Sequence, residues 1–250
     1  YSTLDMPWVG LSDGGAGYLL LYETPDDGTI KLEPCPVRGE TLLAPLAQHE
    51  PCRGVFAYPR VVRYCFTPTG GYVSICKRYR RYAQEHGLVV TLREKARRVP
   101  AVERLIGAPD VWGASAGWAF EAHAAGIDRC LVNGRFPPED MRRMLQLGYL
   151  LSEYDNYVDL LEGERGQDGT YGPLAEDVRL DAAGEMVKGW LTWNKETQYY
   201  RRCPATAVEA ARREITAVLA QYPYNARFLD VTTATGLREC YHPAHPLTRS

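Results

Sequence analysis

The sequence predicts an α+β chain in two parts, and three observations carry that expectation. Up to about residue 72 the apolar runs are short and punctuated by Pro and Gly, the pattern of antiparallel strands and turns. From about residue 103 strand-like and helix-like runs alternate, the pattern of a parallel sheet with crossover helices. The last strand signal, Phe228-Leu229, ends on Asp230 and runs into polar loop. An acid at the carboxyl end of a buried parallel strand is where barrel enzymes place reactive groups.

The front elements follow in order. Gly17 to Glu23 reads as a strand closed by the turn Pro25-Asp-Asp-Gly28, with a further short run to Leu32. Gly54 to Tyr58 and Arg60 to Phe66 supply two more, and together they predict the later strands of a β-sandwich. Past Gly70-Gly71 the spacing of Tyr72, Ile75, Cys76, Tyr79, Tyr82 and Ala83 is helical, with Lys77, Arg78, Arg80 and Arg81 on the solvated face. The basic segment Arg93 to Arg98 before Pro100 is expected to be a linker.

In the second part Leu105 to Trp112 is strand-like and 114–125 helical. Ile127 to Val132 is the second strand, ended by Asn133-Gly134. Pro137-Pro-Glu-Asp opens a helix, with Pro in the first turn and acids at the positive end, that runs to about Leu147. Tyr149 to Ser152 is the third strand and leads into Glu153-Tyr-Asp-Asn-Tyr157. Residues 159–203 form a polar, glycine-rich excursion with a small β element at 188–194. Thr206-Ala-Val-Glu209 has the form of a capping box, opening a helix with Val208, Ala211, Ile215, Val218 and Leu219 as its apolar face. The fourth strand then ends at Asp230. Four strand–helix steps fit either an open sheet of four to five strands or a barrel cut after its fourth strand, since a complete (β/α)8 barrel takes about 250 residues. No Gly-x-Gly-x-x-Gly or Walker-type loop follows any strand, which argues against the nucleotide-binding open sheets. The domains expected are 1–72, a connecting helix and linker at 73–102, and 103–250.

Composition narrows the function without choosing it. The chain of 250 residues has a net charge of −2, 45% hydrophobic and 24% charged residues, which is ordinary globular material and a poor match to a nucleic-acid partner. Its 17 Tyr and 5 Trp against 5 Phe supply apolar faces with polar tips, which suit sugar rings and interfaces alike. The seven cysteines, scattered and without a CxxC pair, read as reduced core thiols. No run of 18 apolar residues is present, so no membrane partner is expected. The first residue is Tyr1 and no basic-then-apolar leader follows; the cytoplasm is the favoured compartment, and secretion the expectation if a leader has been removed.

The groups that follow each strand are Trp112, then Asn133, then Glu153 to Tyr157, then Asp230: an aromatic platform, amides and carboxylates for hydroxyls, and a carboxylate for chemistry. Cys240-x-His242-x-x-His245 also has metal-like spacing that Asp230 could complete, the basis of a competing reading as a metal-dependent hydrolase. A third reading is a non-catalytic carbohydrate-binding module, for which the Tyr and Trp content speaks.

The runs Leu105-Ile-Gly-Ala-Pro-Asp-Val-Trp112, Tyr154-Asp-Asn-Tyr157, Trp193 to Pro204 and Phe228-Leu-Asp230-Val…Glu239-Cys-Tyr-His242-Pro…His245-Pro resemble glycoside hydrolases of the α-N-acetylgalactosaminidase type, families 129 and 101. Met6-Pro-Trp8, Gly17-Tyr18, Glu23 to Asp27 and Gly71-Tyr72 with Tyr79-Arg80 are similar to the sandwich and helix that precede the barrel there. The resemblance implies the C-terminal part of a β-sandwich followed by the first half of a (β/α)8 barrel. It implies a retaining mechanism with Asp230 as nucleophile and a Glu on a later strand, beyond Ser250, as acid/base. Tyr154, Asp155 and Asn156 would hold the sugar, Trp112 or Trp193 would stack on it, and Lys195, Gln198, Glu239 and His242 would add polar contacts. No organic cofactor is implied; the acidic loop Glu162–Asp168 could hold a structural calcium.

Overall fold

The computed structural model describes residues 6–50, 53–56, 58–163, 170–232 and 236–248. The chain divides into two compact units: Tyr1–Val89 with Ala234–Glu239 and Thr248–Ser250, and Val90–Thr233 with Cys240–Leu247. The boundary splits the stretch expected to connect the domains.

The first unit runs β1 (Trp8–Ser12), β2 (Gly17–Tyr22), β3 (Gly28–Val37), β4 (Glu40–His49), β5 (Val62–Thr67) and α1 (Gly71–Glu85). Strands β1, β2 and β5 form an antiparallel sheet with β2 in the centre. Leu19, Leu20, Leu21 and Tyr22 of β2 are all buried, as a central strand covered on both faces requires. Leu19 and Leu21 meet Ile75 and Tyr82 of α1, each apolar side chain contributing about 1.5–3 kcal/mol by its burial. Close approach of the helix depends on Gly10 and Gly17, where an added Cβ would lie 2.6 and 2.8 Å from the Ile75 side chain. The helix buries less of its expected face than its spacing predicts: Tyr72 and Cys76 are exposed.

Strands β3 and β4 form a separate hairpin, turned by Arg38 and Gly39 at φ 51° and 82°, the left-handed pair that a two-residue turn matched to strand twist requires. The hairpin is much longer than the run to Leu32 because Pro34, Pro36 and Pro45 interrupt the sequence signal. Their register partners, Leu43, Thr41 and Leu32, put all three at the same parity, one step from the closing Val37–Glu40 pair. Those are the pairs that exchange no backbone hydrogen bond, so the missing N–H costs the ladder nothing. The strand expected at Gly54 to Tyr58 is not found among the described residues; Arg53 and Gly54 turn there at φ 48° and 79°.

A buried charge cluster sits beside this hairpin. Asp27 accepts from the Tyr58 hydroxyl at 2.5 Å and from Arg60 Nε at 2.9 Å, and it forms an ion pair with Arg60. Burial pushes its carboxyl up, but the bonds from Tyr58 and Arg60 outweigh that and hold it below the ordinary carboxylate value. A lowered folded pKa is stability present above the unfolded value of 3.8 and lost as pH falls through the folded one. The thermal midpoint of the wild type is therefore expected to converge on that of Asp27→Asn below about pH 4. Scanning both proteins from pH 6 to 3 checks this, and a constant gap would disprove it.

The second unit opens with α2 (Leu92–Arg98) and a 3-10 turn (Pro100–Leu105). The basic segment expected to be a linker is thus helical. Thr91 and Glu94 form its capping box, with Glu94 N donating to Thr91 Oγ1 at 3.2 Å and Thr91 N donating to Glu94 Oε2 at 2.7 Å. Then come β6 (Asp110–Trp112), α3 (Ala116–Ala124), β7 (Leu131–Asn133), α4 (Pro138–Gln146) and β8 (Leu150–Asn156). An excursion holds β9 (Asp159–Glu162), β10 (Tyr171–Gly172), α5 (Leu174–Asp177), β11 (Lys188–Leu191) and β12 (Gln198–Arg201), with four-stranded order β10-β9-β12-β11. The chain returns through α6 (Pro204–Leu219) to β13 (Ala226–Asp230).

Strands β6, β7, β8 and β13 form a parallel sheet in chain order, each added at the same edge. Doubly wound sheets reverse direction at a switch point; this sheet does not. Val111, Val132 and Leu151 stand in register and pack with Ala119, Met141, Met144 and Val218 of the crossover helices. Helix α6 differs from its expected start and face. Cys203 is its N-cap, Thr206 lies inside the first turn with its hydroxyl on Cys203 O at 3.0 Å, and there is no capping box. Ala210, Glu214 and Val218 are the buried line, while Val208 and Leu219 are exposed.

Candidate active site

Side chains alternate across a strand, so the register decides which groups leave the sheet on the side away from the helices. Trp112, Asn133 and Ser152 share one row, Tyr154 and Phe228 a second, Asn156 and Asp230 a third. Trp112 stands edge-on to Phe228 at 4.8 Å, and Tyr154 stacks on Phe228 at 6.2 Å. Asn133 is buried, its amide donating to Asp110 Oδ1 at 2.5 Å and Val111 O at 3.2 Å, while Trp112 Nε1 donates to Asp110 Oδ2 at 3.4 Å.

Asp230 closes the last strand with both carboxylate oxygens engaged. The Tyr154 hydroxyl donates to Oδ2 at 2.7 Å, and Val231 N donates to Oδ1 at 2.8 Å. Burial, with the Asp230 bond and charge, pushes the Tyr154 phenol up to about 12, so it remains a donor throughout the physiological range. Val231 has φ 58°, a left-handed conformation that a β-branched residue adopts only under constraint. Such strain concentrates at functional sites, and here it turns the Val231 N–H back onto the carboxylate.

Asp230 opens onto a cleft of about 450 Å³ shared with Tyr154, Asn156, Asp159, Trp190, Tyr199 and Arg201. Trp190 and Tyr199 stack at 4.7 Å and 14° across the β11–β12 pair. Arg201 Nη1 donates to Asp159 Oδ1 at 2.7 Å, and Asn156 Nδ2 donates to Asp159 Oδ2 at 2.9 Å. Stacked aromatics beside amide, guanidinium and carboxylate groups can grip a polyhydroxylated ring by its apolar face and its hydroxyls.

The sequence-predicted residues divide accordingly. Asp230, Tyr154 and Asn156 meet in the cleft, and Trp112 shares their face of the sheet, 48% exposed. Asp155 does not join them: β8 continues through it, and the alternation puts its side chain on the helix side, 2% exposed and 3.5 Å from Arg227 Nε. Burial pushes its carboxyl up, against the pull of Arg227. Trp193, 98% exposed, and Lys195 sit at the tip of the β11–β12 hairpin, outside the cleft lining. Gln198 spends its amide on the carbonyls of Gly189, Trp190 and Tyr199. Glu239 lies in the first unit and accepts from Arg53 N. His242 bonds Ala175 O through Nε2 at 3.0 Å and also stays out of the lining. The metal set of the competing reading is not assembled as expected: Cys240 and His245 converge with Cys203 rather than with His242 or Asp230. Of the loop expected to suit calcium, residues 164–168 lie outside the described residues, and Glu162 accepts from Leu174 N at 3.0 Å. Asp159, Trp190, Tyr199 and Arg201 were not predicted; only the tryptophan-rich run 188–194 signalled that part of the cleft.

No protein-family model and no curated protein sequence matches the chain. Solved structures do match. The ligand-free α-N-acetylgalactosaminidase NagBb from Bifidobacterium bifidum aligns with 98% of this chain and 48% of its own, at a TM-score of 0.77 and 24% identity. This chain has the fold of that aligned part. The same enzyme's Gal-NHAc-DNJ and GalNAc complexes align at TM-scores of 0.77 and 0.75, again at 24% identity, over 98% of this chain and 46% of theirs. The chain spans about half the length of the structures it matches.

Proposed function

We propose that this chain supplies the nucleophile side of a retaining glycoside hydrolase that cleaves α-linked N-acetylgalactosamine or a related α-galactosyl sugar. Its parallel sheet is then the first half of a (β/α)8 wall, and its antiparallel strands the end of a β-sandwich. The observation that carries the reading is Asp230 at a strand's carboxyl end, fixed by Tyr154 and a strained Val231, in a cleft with an aromatic stack. A carboxylate oxygen of Asp230 attacks the anomeric carbon as the glycosidic C–O bond breaks, giving a glycosyl ester that water then hydrolyses. The leaving oxygen needs a proton from a carboxyl group about 5–5.5 Å from the nucleophile. Among the described residues the other carboxylate lining the cleft is Asp159, and both its oxygens are already engaged, by Arg201 and by Asn156. On this reading the acid/base belongs to the part of the matched fold that this chain does not span. The fold match to an α-N-acetylgalactosaminidase over half its length supports this division.

Hydrolysis of aryl α-N-acetylgalactosaminide and aryl α-galactoside by the full-length protein tests the reading, with the anomer released first followed by NMR. Turnover with α-product first is expected. Binding without turnover would point to a carbohydrate-binding module, and β-product first would exclude the nucleophilic role. Tyr154→Phe removes one donor to the nucleophile and is expected to lower kcat about 10- to 100-fold with an unchanged fold. Steady-state kinetics with a far-UV spectrum checks it.

A further inference from the structure

We infer that Cys203, Cys240 and His245 form a zinc(II) site that clips the segment following β13 onto the start of α6. The two thiols are fully buried and the imidazole is partly so, and their donor atoms all lie within 4.8 Å of one another. Zinc bonds of about 2.3 Å to sulfur and 2.0 Å to nitrogen make a tetrahedral S–N edge of about 3.5 Å. His245 Nδ1 lies 3.6 Å from Cys240 Sγ. The other ring nitrogen, Nε2, is 2.8 Å from Glu176 O, so it carries the proton and leaves the Nδ1 lone pair facing the thiols. A histidine whose second nitrogen donates to a backbone carbonyl is the usual arrangement of a metal ligand. His242 stacks flat against the His245 ring at 3.9 Å and 4°, and is itself anchored on Ala175 O, which fixes the ligand plane from outside.

The third donor comes from elsewhere in the chain. Cys203 is the N-cap of the 16-residue helix α6, and its buried sulfur meets Cys240 and His245 there. Two sulfurs and one imidazole form a soft donor set that suits zinc and disfavours calcium or magnesium. Three protein donors leave the fourth position to water. Binding replaces two S–H protons with metal bonds, and it joins two segments separated by α6 and β13, so the cation closes a long loop. None of these residues lines the cleft, and the inference stands whether or not the proposed reaction does.

The test uses the full chain purified under reducing conditions, loaded with zinc and passed through a desalting column. One zinc per chain is expected, lost in Cys203→Ser and in Cys240→Ser but kept in His242→Ala. Cobalt(II) in place of zinc is expected to show thiolate-to-metal charge transfer in the wild type, a readout that needs no variant to fold. Chelation is expected to lower the thermal midpoint of the wild type and not of the serine variants. No retained zinc in the reduced wild type, or cobalt bound without the charge-transfer band, overturns the inference. So does a mass lower by two hydrogens in the reduced preparation, which would identify a Cys203–Cys240 disulfide instead.

Discussion

Asp230→Asn is expected to lower kcat on the order of 10³- to 10⁵-fold, about 4–7 kcal/mol of barrier, with little change in stability. The amide cannot form the glycosyl ester, so the two-step route closes. It also offers one acceptor oxygen where the carboxylate offers two, and the structure presents two donors, the Tyr154 hydroxyl and Val231 N–H. One of them loses its partner, at about 1 kcal/mol. Kinetics on an aryl α-glycoside, with the thermal midpoint measured alongside, separates loss of chemistry from loss of fold. Unchanged kcat would remove Asp230 from the reaction. In Asp230→Ala an added azide ion should restore turnover and yield a glycosyl azide inverted at the anomeric carbon, the mark of a vacated nucleophile.

The largest stability effect is expected at Arg202→Ala. The Arg202–Asp177 ion pair lies in the interior of the second unit, with side chains almost wholly buried. Arg202 Nη2 also donates to Tyr171 O at 3.4 Å, and its backbone N donates to Val158 O at 2.8 Å, so from the residue after β12 it ties together β10, α5 and the residue that precedes β9. Removing the guanidinium leaves Asp177 as a buried charge without its counterion, which costs about 3–5 kcal/mol. In a unit of this size that lowers the thermal midpoint by roughly 6–20 °C. Glycan affinity should fall with it, because the neighbouring Arg201 and Tyr199, on which Trp190 stacks, stand on β12. Chemical denaturation of the variant checks the magnitude. Asp177→Leu with Arg202→Met should recover much of the loss, since a buried pair exchanged for apolar groups is often neutral or stabilising.

The parallel sheet was legible because each of its strands announces itself locally: an apolar run, then a polar group at the carboxyl end. That is why Trp112, Asn133, Tyr154, Asn156 and Asp230 could be placed near one another from sequence. What could not be read was where β8 stops. Ending it at Ser152 treats Tyr154, Asp155 and Asn156 as one loop presenting three groups together. The strand continues to Asn156, and alternation sends Asp155 to the opposite face, beside Arg227. The excursion was harder still. Its strands have two to four residues each, too short for a periodic signal, and they are defined by charge pairs such as Arg201–Asp159 and Arg202–Asp177 that join distant positions. Half the cleft wall lies there. In the first unit, proline content masked the β3–β4 hairpin, because a composition rule cannot see that all three prolines share one parity.

The order of strands in the parallel sheet has a consequence for biosynthesis. Strands β6, β7 and β8 emerge from the ribosome close together and can pair as they appear, whereas residues 157–225 separate β8 from its other neighbour, β13. At about 5–20 residues per second, that interval lasts roughly 3–14 seconds. For all of it the outer edge of β8, with Tyr154 and Asn156 on it, awaits a partner while the excursion folds beside it. An open strand edge invites pairing with other chains, so slow elongation or crowded polysomes should lower the yield of native protein more than the stability of the finished fold would indicate.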